Sequence, residues 1–175
     1  MELLPRGPRP PYRIRAEVRH EAMKGIVGFY FGDPEYRAGS DPEHEFFLAA
    51  FSEDSPTTGK LELTLQRYRE ALAGKGMEHF QTPLGTWATF TFDKGDVGWR
   101  PLIIEVDRND LRLSWQGKVV SHPSLGKMQE QVERDHRIDP KHPAWRWPPP
   151  RGSMGLYLEN GHAFWRNVII EPFDP

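Results

Sequence analysis

Residues 151–172 read RGSMGLYLENGHAFWRNVIIEP, two short apolar-patterned runs joined by Glu159, Asn160, Gly161 and His162. Runs of this length and alternation are strands. Gly161 can take the positive φ that a tight connection needs, and Asn160 tolerates it better than most residues, so the pattern predicts a β-hairpin. Its period of two sets how the rest of the chain is read.

Upstream, Tyr12 to Arg19 alternates strictly, with Tyr12, Ile14, Ala16 and Val18 on one face and Arg13, Arg15, Glu17 and Arg19 on the other. This is a half-buried strand. Gly25 to Gly32 is apolar on both faces, as a strand near the middle of a sandwich is, and Gly28 marks a bulge or a close approach of backbones. Glu43 to Ser52, Lys60 to Tyr68 and Trp87 to Phe92 follow as strands, the second with a continuation to Ala73 that could wind into a helical turn. Leu102 to Asp107 and Leu111 to Trp115 form a hairpin across Arg108, Asn109 and Asp110, and Gly117 turns the chain into Val119 and Val120.

One stretch, Pro123 to Arg134, has helical spacing, with Leu125, Met128 and Val132 on one face and Ser121 or Ser124 available as a cap. Eight or more strands and a single helix predict an all-β fold, a two-sheet antiparallel jelly-roll sandwich with one short helical insertion near 123–134. The sandwich is expected to occupy residues 12–173 as one domain, behind a Pro-rich lead-in or linker at 1–11. A linker there suits an accessory module of a larger protein.

The 23 basic and 25 acidic side chains nearly cancel, which disfavours nucleic acid as a partner. The chain has no cysteine, so disulfides, thiolate catalysis and Cys-type zinc sites are excluded together. Its compartment stays open: either a reducing or an oxidising environment suits it, and an exported parent would make it extracytoplasmic. No run approaches the 18 or so apolar residues of a membrane span, and the opening lacks the apolar core of a signal peptide. A soluble chain is expected.

The closing segment resembles the form GxxGLYxExGxAxFRNVxIxP found in the final strands of concanavalin A-like sandwiches. Within that superfamily it is most similar to the family associated with 3-keto-disaccharide hydrolysis and to laminin-G-type accessory domains. The segment WRPLIIEVDRNDLRLSWQGKVV, Trp99 to Val120, resembles the same family. The resemblance implies a jelly roll that binds carbohydrate on its concave face. It also implies a family glutamate at Glu45, within His44-Glu45-Phe46-Phe47. The chain departs from that family at three polar positions: Phe47 stands for a glutamine, Gly32 for an arginine and Arg100 for an asparagine.

Glu43 and Glu45 are the candidate catalytic pair if the chain is an enzyme. Carboxylates two apart on a strand share a face, and a retaining glycosidase needs two about 5 Å apart. Sandwich glucanases carry E-x-D-x-x-E on the corresponding strand, whereas Leu48 occupies the third position here. The competing reading is a charged edge strand in solvent. Trp99, Trp115, Trp145 and Trp147, with Tyr30 and Tyr157, supply flat rings on which sugar faces stack, and Arg15 and Glu17 add hydrogen bonds to hydroxyls. The tryptophans can equally serve as cover for the sheet, Trp145 and Trp147 beneath the Pro-rich segment ending at Pro148–Pro150.

His122, His136 and His142 lie near Asp135 and Asp139 in sequence, but no HExxH or HxH spacing fixes two ligands on one element. No metal site or cofactor is predicted, and no loop matches an Asp-rich calcium pattern. The predicted function is a noncatalytic β-sandwich module that binds carbohydrate or a protein partner. The alternatives are a glycoside-cleaving enzyme related to the 3-keto-disaccharide hydrolases and a structural or assembly domain.

Overall fold

The computed structural model describes residues 2–4, 7–20, 25–33, 43–55, 58–70, 77–91, 98–138 and 152–174. The strands are β1 (Glu2–Leu4), β2 (Tyr12–His20), β3 (Ile26–Asp33), β4 (Glu43–Ser55), β5 (Thr58–Glu70) and β6 (Met77–Thr91). After these come β7 (Arg100–Val106), β8 (Leu111–Trp115), β9 (Lys118–Ser121), the helix α1 (Leu125–Ile138), β10 (Ser153–Glu159) and β11 (Ala163–Pro172). They form two antiparallel sheets, ordered β1-β10-β3-β4-β5-β6 and β11-β2-β7-β8-β9. The fold is the jelly-roll sandwich that the alternation predicts.

Each sheet buries one face against the other. Val27, Phe29 and Phe31 of β3, Phe47, Ala49 and Phe51 of β4, and Leu61, Leu63 and Leu65 of β5 meet the inner side chains of β2, β7 and β8. Every second residue is involved, which is the strand period. Aromatic rings tie the layers together: Phe51 stacks on Trp115 at 5.1 Å between centroids, and Phe29 meets Trp165 at 5.7 Å. The expected strand from Tyr12 buries Tyr12, Ile14, Ala16 and Val18, as its alternation requires.

The last two strands exist but do not pair with each other. β10 lies between β1 and β3 in the larger sheet, whereas β11 flanks β2 in the smaller one. The expected C-terminal hairpin is therefore an arch that crosses between the layers. Asn160 takes the positive φ, 53°, and Gly161 does not. The reason is geometric: alternation tells which side of a strand is apolar, and that side reaches the same core whether two strands lie side by side or face to face.

Other local expectations divide. The chain from Lys60 stays extended to Glu70 and forms no helical turn there. At Gly28 the ladder keeps its register on both sides, so the glycine marks close approach and not a bulge; a Cβ there would sit 2.1 Å from the Ala49 carbonyl oxygen. Gln116 and Gly117, with φ of 50° and 75°, make the two-residue turn between β8 and β9. The helix starts two residues later than expected and runs further, with Ser124 preceding it and accepting the first helical bond from Met128 N at 3.1 Å. The tip of the β7–β8 hairpin holds its start, since Leu125 N donates to Asn109 O at 2.7 Å and Leu111 N to Pro123 O at 3.0 Å. Leu125, Met128 and Val132 join the core. The lead-in is stitched to the sheet edge through β1 and through Gly7 N, which donates to Gly152 O.

Two predictions follow from this packing. Trp115→Ala removes the ring that Phe51 and Phe90 share and is expected to cost about 3–5 kcal/mol, read as a lower urea midpoint at unchanged slope. Burial pushes the Tyr12 phenol well above a tyrosine's usual pKa, so the native state holds it neutral. That contribution is intact below about pH 10, where the unfolded phenol is also neutral, and is lost as pH rises further. Urea midpoints from about pH 9 to about pH 12 should fall more steeply for the wild type than for Tyr12→Phe.

Candidate functional site

The outer face of the larger sheet carries the side chains whose parity is opposite to the core. Across its middle run Gly155, Tyr30, Leu48 and Thr64, and beside them Tyr157, Gly28, Ala50 and Glu62. Tyr30 leans on Phe46 from the neighbouring strand, with ring centroids 5.3 Å apart. Thr64 and Gln66 face away from the core, yet each is only 3% exposed. Buried polar groups must be paired, and these are: Gln66 Nε2 donates to Thr64 Oγ1 at 2.7 Å, while Gln66 Oε1 meets His79 Nε2. That arrangement makes His79 Nε2 the donor, which fixes its tautomer if the ring is neutral. At 3% exposure the pair is a satisfied buried contact of this face.

Glu45 is not on this face. It shares the parity of Phe47, Ala49 and Phe51, is 7% exposed, and stands opposite Arg67 in the β4–β5 register. Glu43, opposite Arg69, has the same parity. The Glu45 side chain faces inward, and the Glu43 side chain lies outside what the structure describes. The outward carboxylates described on this face are Glu62 and Glu159, three strand steps (about 14 Å) across the sheet and two residues (about 7 Å) along it from each other. Glu159 is also engaged, accepting from Tyr157 Oη at 2.6 Å. Arg100, at the position where the resembled family has asparagine, is buried at the inner end of β7, and burial lowers the pKa of its guanidinium.

Arg15, Glu17 and Trp99 come together elsewhere, on the outer face of the smaller sheet. Arg19 and Arg166 sit over the Trp99 ring at 5.3 and 4.2 Å, Arg19 also covers Phe164 at 4.9 Å, and Arg166 Nε donates to Glu17. A β-bulge makes this possible. Arg166 pairs with Glu17 and Ile169 with Arg15, so Asn167, at φ 52°, is the extra residue and points outward with Arg166. Its Nδ2 donates to Glu17 Oε2 at 3.3 Å. The bulge also returns Val168 and Ile170 to the core side after Trp165.

The expected ring platform thus splits three ways. Tyr30 lies on the larger outer face and Trp99 on the smaller one. Trp115 is a correction: at 3% exposure, stacked between the layers, it has no surface to offer a ligand. Trp145, Trp147, His142 and Asp139 lie outside the described residues. His122 lines a depression with Asp107, Asp110 and Asp174, but among the described residues no three His, Asp or Glu side chains converge to hold a metal ion. Also among the described residues, no helix is long and apolar enough to cross a membrane. The sequence reading missed Gln66, Thr64 and His79, because a polar residue opposite Leu63 and Leu65 in parity looks solvated until its burial is seen.

No family model matches the chain, and no curated protein matches it. Solved structures do. A kappa-carrageenase from Zobellia galactanivorans superposes with a TM-score of 0.50 at 10% identity, covering 91% of this chain and 55% of that one. A carbohydrate binding module from Bacillus subtilis gives 0.43 at 10% identity over 91% and 74% of the two chains. A glycoside hydrolase family 16 endo-glucanase from Bacteroides ovatus gives 0.47 at 10% identity over 97% and 70%. The first of these supports the jelly-roll fold; identities this low speak to fold alone.

Gly28 sits under the middle of the larger outer face, so its tolerance is a direct test of that surface. Gly28→Ala is expected to destabilise by about 3 kcal/mol, because the new methyl can be accommodated only by parting β3 from β4. Chemical denaturation of the variant checks this.

Proposed function

We propose that the chain is a noncatalytic carbohydrate-binding module, a sandwich of residues 12–173 carried by a larger protein, with the outer face of the larger sheet as its ligand surface. The observation that carries the reading is the half-buried Tyr30–Phe46 ring pair on the side away from the core. Adjoining aromatic rings on an outer sheet face give a sugar the flat apolar contact it stacks on. A fold shared with a carrageenase admits such a ligand without choosing it.

The alternative, a glycoside-cleaving enzyme related to the 3-keto-disaccharide hydrolases, is opposed by the position of Glu45. Acid and nucleophile or base must flank the bond at about 5 Å or at about 6.5–9.5 Å. An inward Glu45 and the wide spacing of Glu62 and Glu159 supply neither arrangement on the outer face.

Affinity electrophoresis against laminarin, barley β-glucan, kappa-carrageenan and arabinan tests the proposal. At least one polysaccharide should retard the wild type, and Tyr30→Ala should weaken that retardation at least tenfold, about 1.4 kcal/mol, with its melting temperature little changed. Reducing sugar should not be released. No retardation by any of the four would overturn the module reading, and sugar release that vanishes in Glu45→Gln would replace it with the hydrolase.

A further inference from the structure

On the outer face of the larger sheet, side-chain bulk drops away beside the ring pair. One cross-strand row is Tyr157, Gly28, Ala50 and Glu62. The row on one side of it is Gly155, Tyr30, Leu48 and Thr64, and the row on the other is Glu159, Ile26, Ser52 and Lys60. Gly28 has no side chain, Ala50 has a methyl group and Ser52 little more, so a shallow trough runs along β3 and β4 between Tyr157 on β10 and Glu62 on β5. Tyr30 stands at its head. Gly28 and Ala50 are buried, while Tyr157, Glu62 and Tyr30 are half-buried, as a floor and its walls are.

The charged side chains described on this face are Glu62, Glu159 and Lys60. Two of them are occupied: Glu159 accepts from Tyr157 Oη at 2.6 Å, and Lys60 is engaged as well. Glu62 differs from both. Half-buried beside Ala50, its carboxylate takes part in no hydrogen bond or ion pair among the described residues. A partly desolvated carboxylate with open lone pairs gains from any donor that a ligand brings to it.

We infer that Glu62 selects the ligand of this face: an uncharged oligosaccharide, one unit of which donates adjacent hydroxyls to the Glu62 carboxylate across the Gly28–Ala50 floor while another unit lies on the Tyr30 ring. The inference rests on the reading of this face as a saccharide surface and narrows it. Tyr30 and Glu62 are two strands apart, about 10 Å, and two residues apart along them, about 7 Å, which is wider than one sugar ring and calls for more than a monosaccharide. Hydroxyls are donors, and a carboxylate accepts them in charge-assisted bonds, whereas sulfate and uronate groups meet it with like charge and are turned away.

Affinity electrophoresis of the full chain with Glu62→Ala, Glu62→Gln and Tyr30→Ala tests it, with laminarin, barley β-glucan and arabinan as uncharged ligands and kappa-carrageenan as the sulfated one. An uncharged polysaccharide should retard the wild type, and kappa-carrageenan should not. Glu62→Ala should weaken that retardation at least tenfold at an unchanged melting temperature, and Glu62→Gln, which keeps one acceptor oxygen, should weaken it less. A short oligosaccharide cut from the retarding polysaccharide should compete, and its monosaccharide should not. Retardation by kappa-carrageenan as strong as by the uncharged ligands, or full binding by Glu62→Ala where Tyr30→Ala binds poorly, would overturn the role of Glu62 and leave the saccharide surface standing. Competition by the monosaccharide at equal strength would overturn the two-point contact. No retardation by any of the four would overturn both the inference and the reading beneath it.

Discussion

The two inner faces have only each other to bury against, and this mutual dependence governs the rest of the molecule. Neither sheet is stable with Phe29, Phe47 and Phe51 or Leu102, Ile104 and Trp115 in water; together they form one dry layer sealed by Phe51–Trp115 and Phe29–Trp165 contacts. The helix is part of the same solution. Its Leu125, Met128 and Val132 add to the layer, and it is anchored to the β7–β8 turn by backbone bonds. Because packing consumes one parity of every central strand, the other parity is left to face outward.

That division explains how the sequence could be read and where reading failed. The strand from Tyr12 declares its buried face, since charge alternates with apolar residues without exception. β4 does not: Phe46, Leu48 and Ala50 are as apolar as Phe47, Ala49 and Phe51, so nothing local says which set is inner. Glu45 therefore looked available to a ligand surface when its parity belongs to the core side. The same blindness covers β10 and β11. Their alternation and the Asn-Gly connection fit a hairpin, whereas pairing is decided by β3 and β2, more than a hundred residues away. Turn chemistry near Gln116 and Gly117 was legible because both strands there are local partners.

The two outer faces have different chemistry for reasons visible in their strands. The larger one has small and apolar residues at its centre, Gly28, Leu48 and Ala50, with hydrogen-bonding groups sunk among rings. The smaller one is a lattice of guanidinium, carboxylate and aliphatic side chains, reshaped where Asn167 adds a residue to β11. The exposed ion pairs of that lattice are individually weak in water, so their main effect is to hold arginines in fixed positions.

The arch between β10 and β11 also bears on how the chain comes together. Glu17 meets Arg166 and Asn167 across separations of 149 and 150 residues, and β3 likewise waits for β10. Until those late segments are synthesised, β2 and β3 each present a bare edge, and Phe29 lacks the indole that covers it. A topology with such distant partners folds slowly and leaves strand edges and apolar rings uncovered until the last strands arrive.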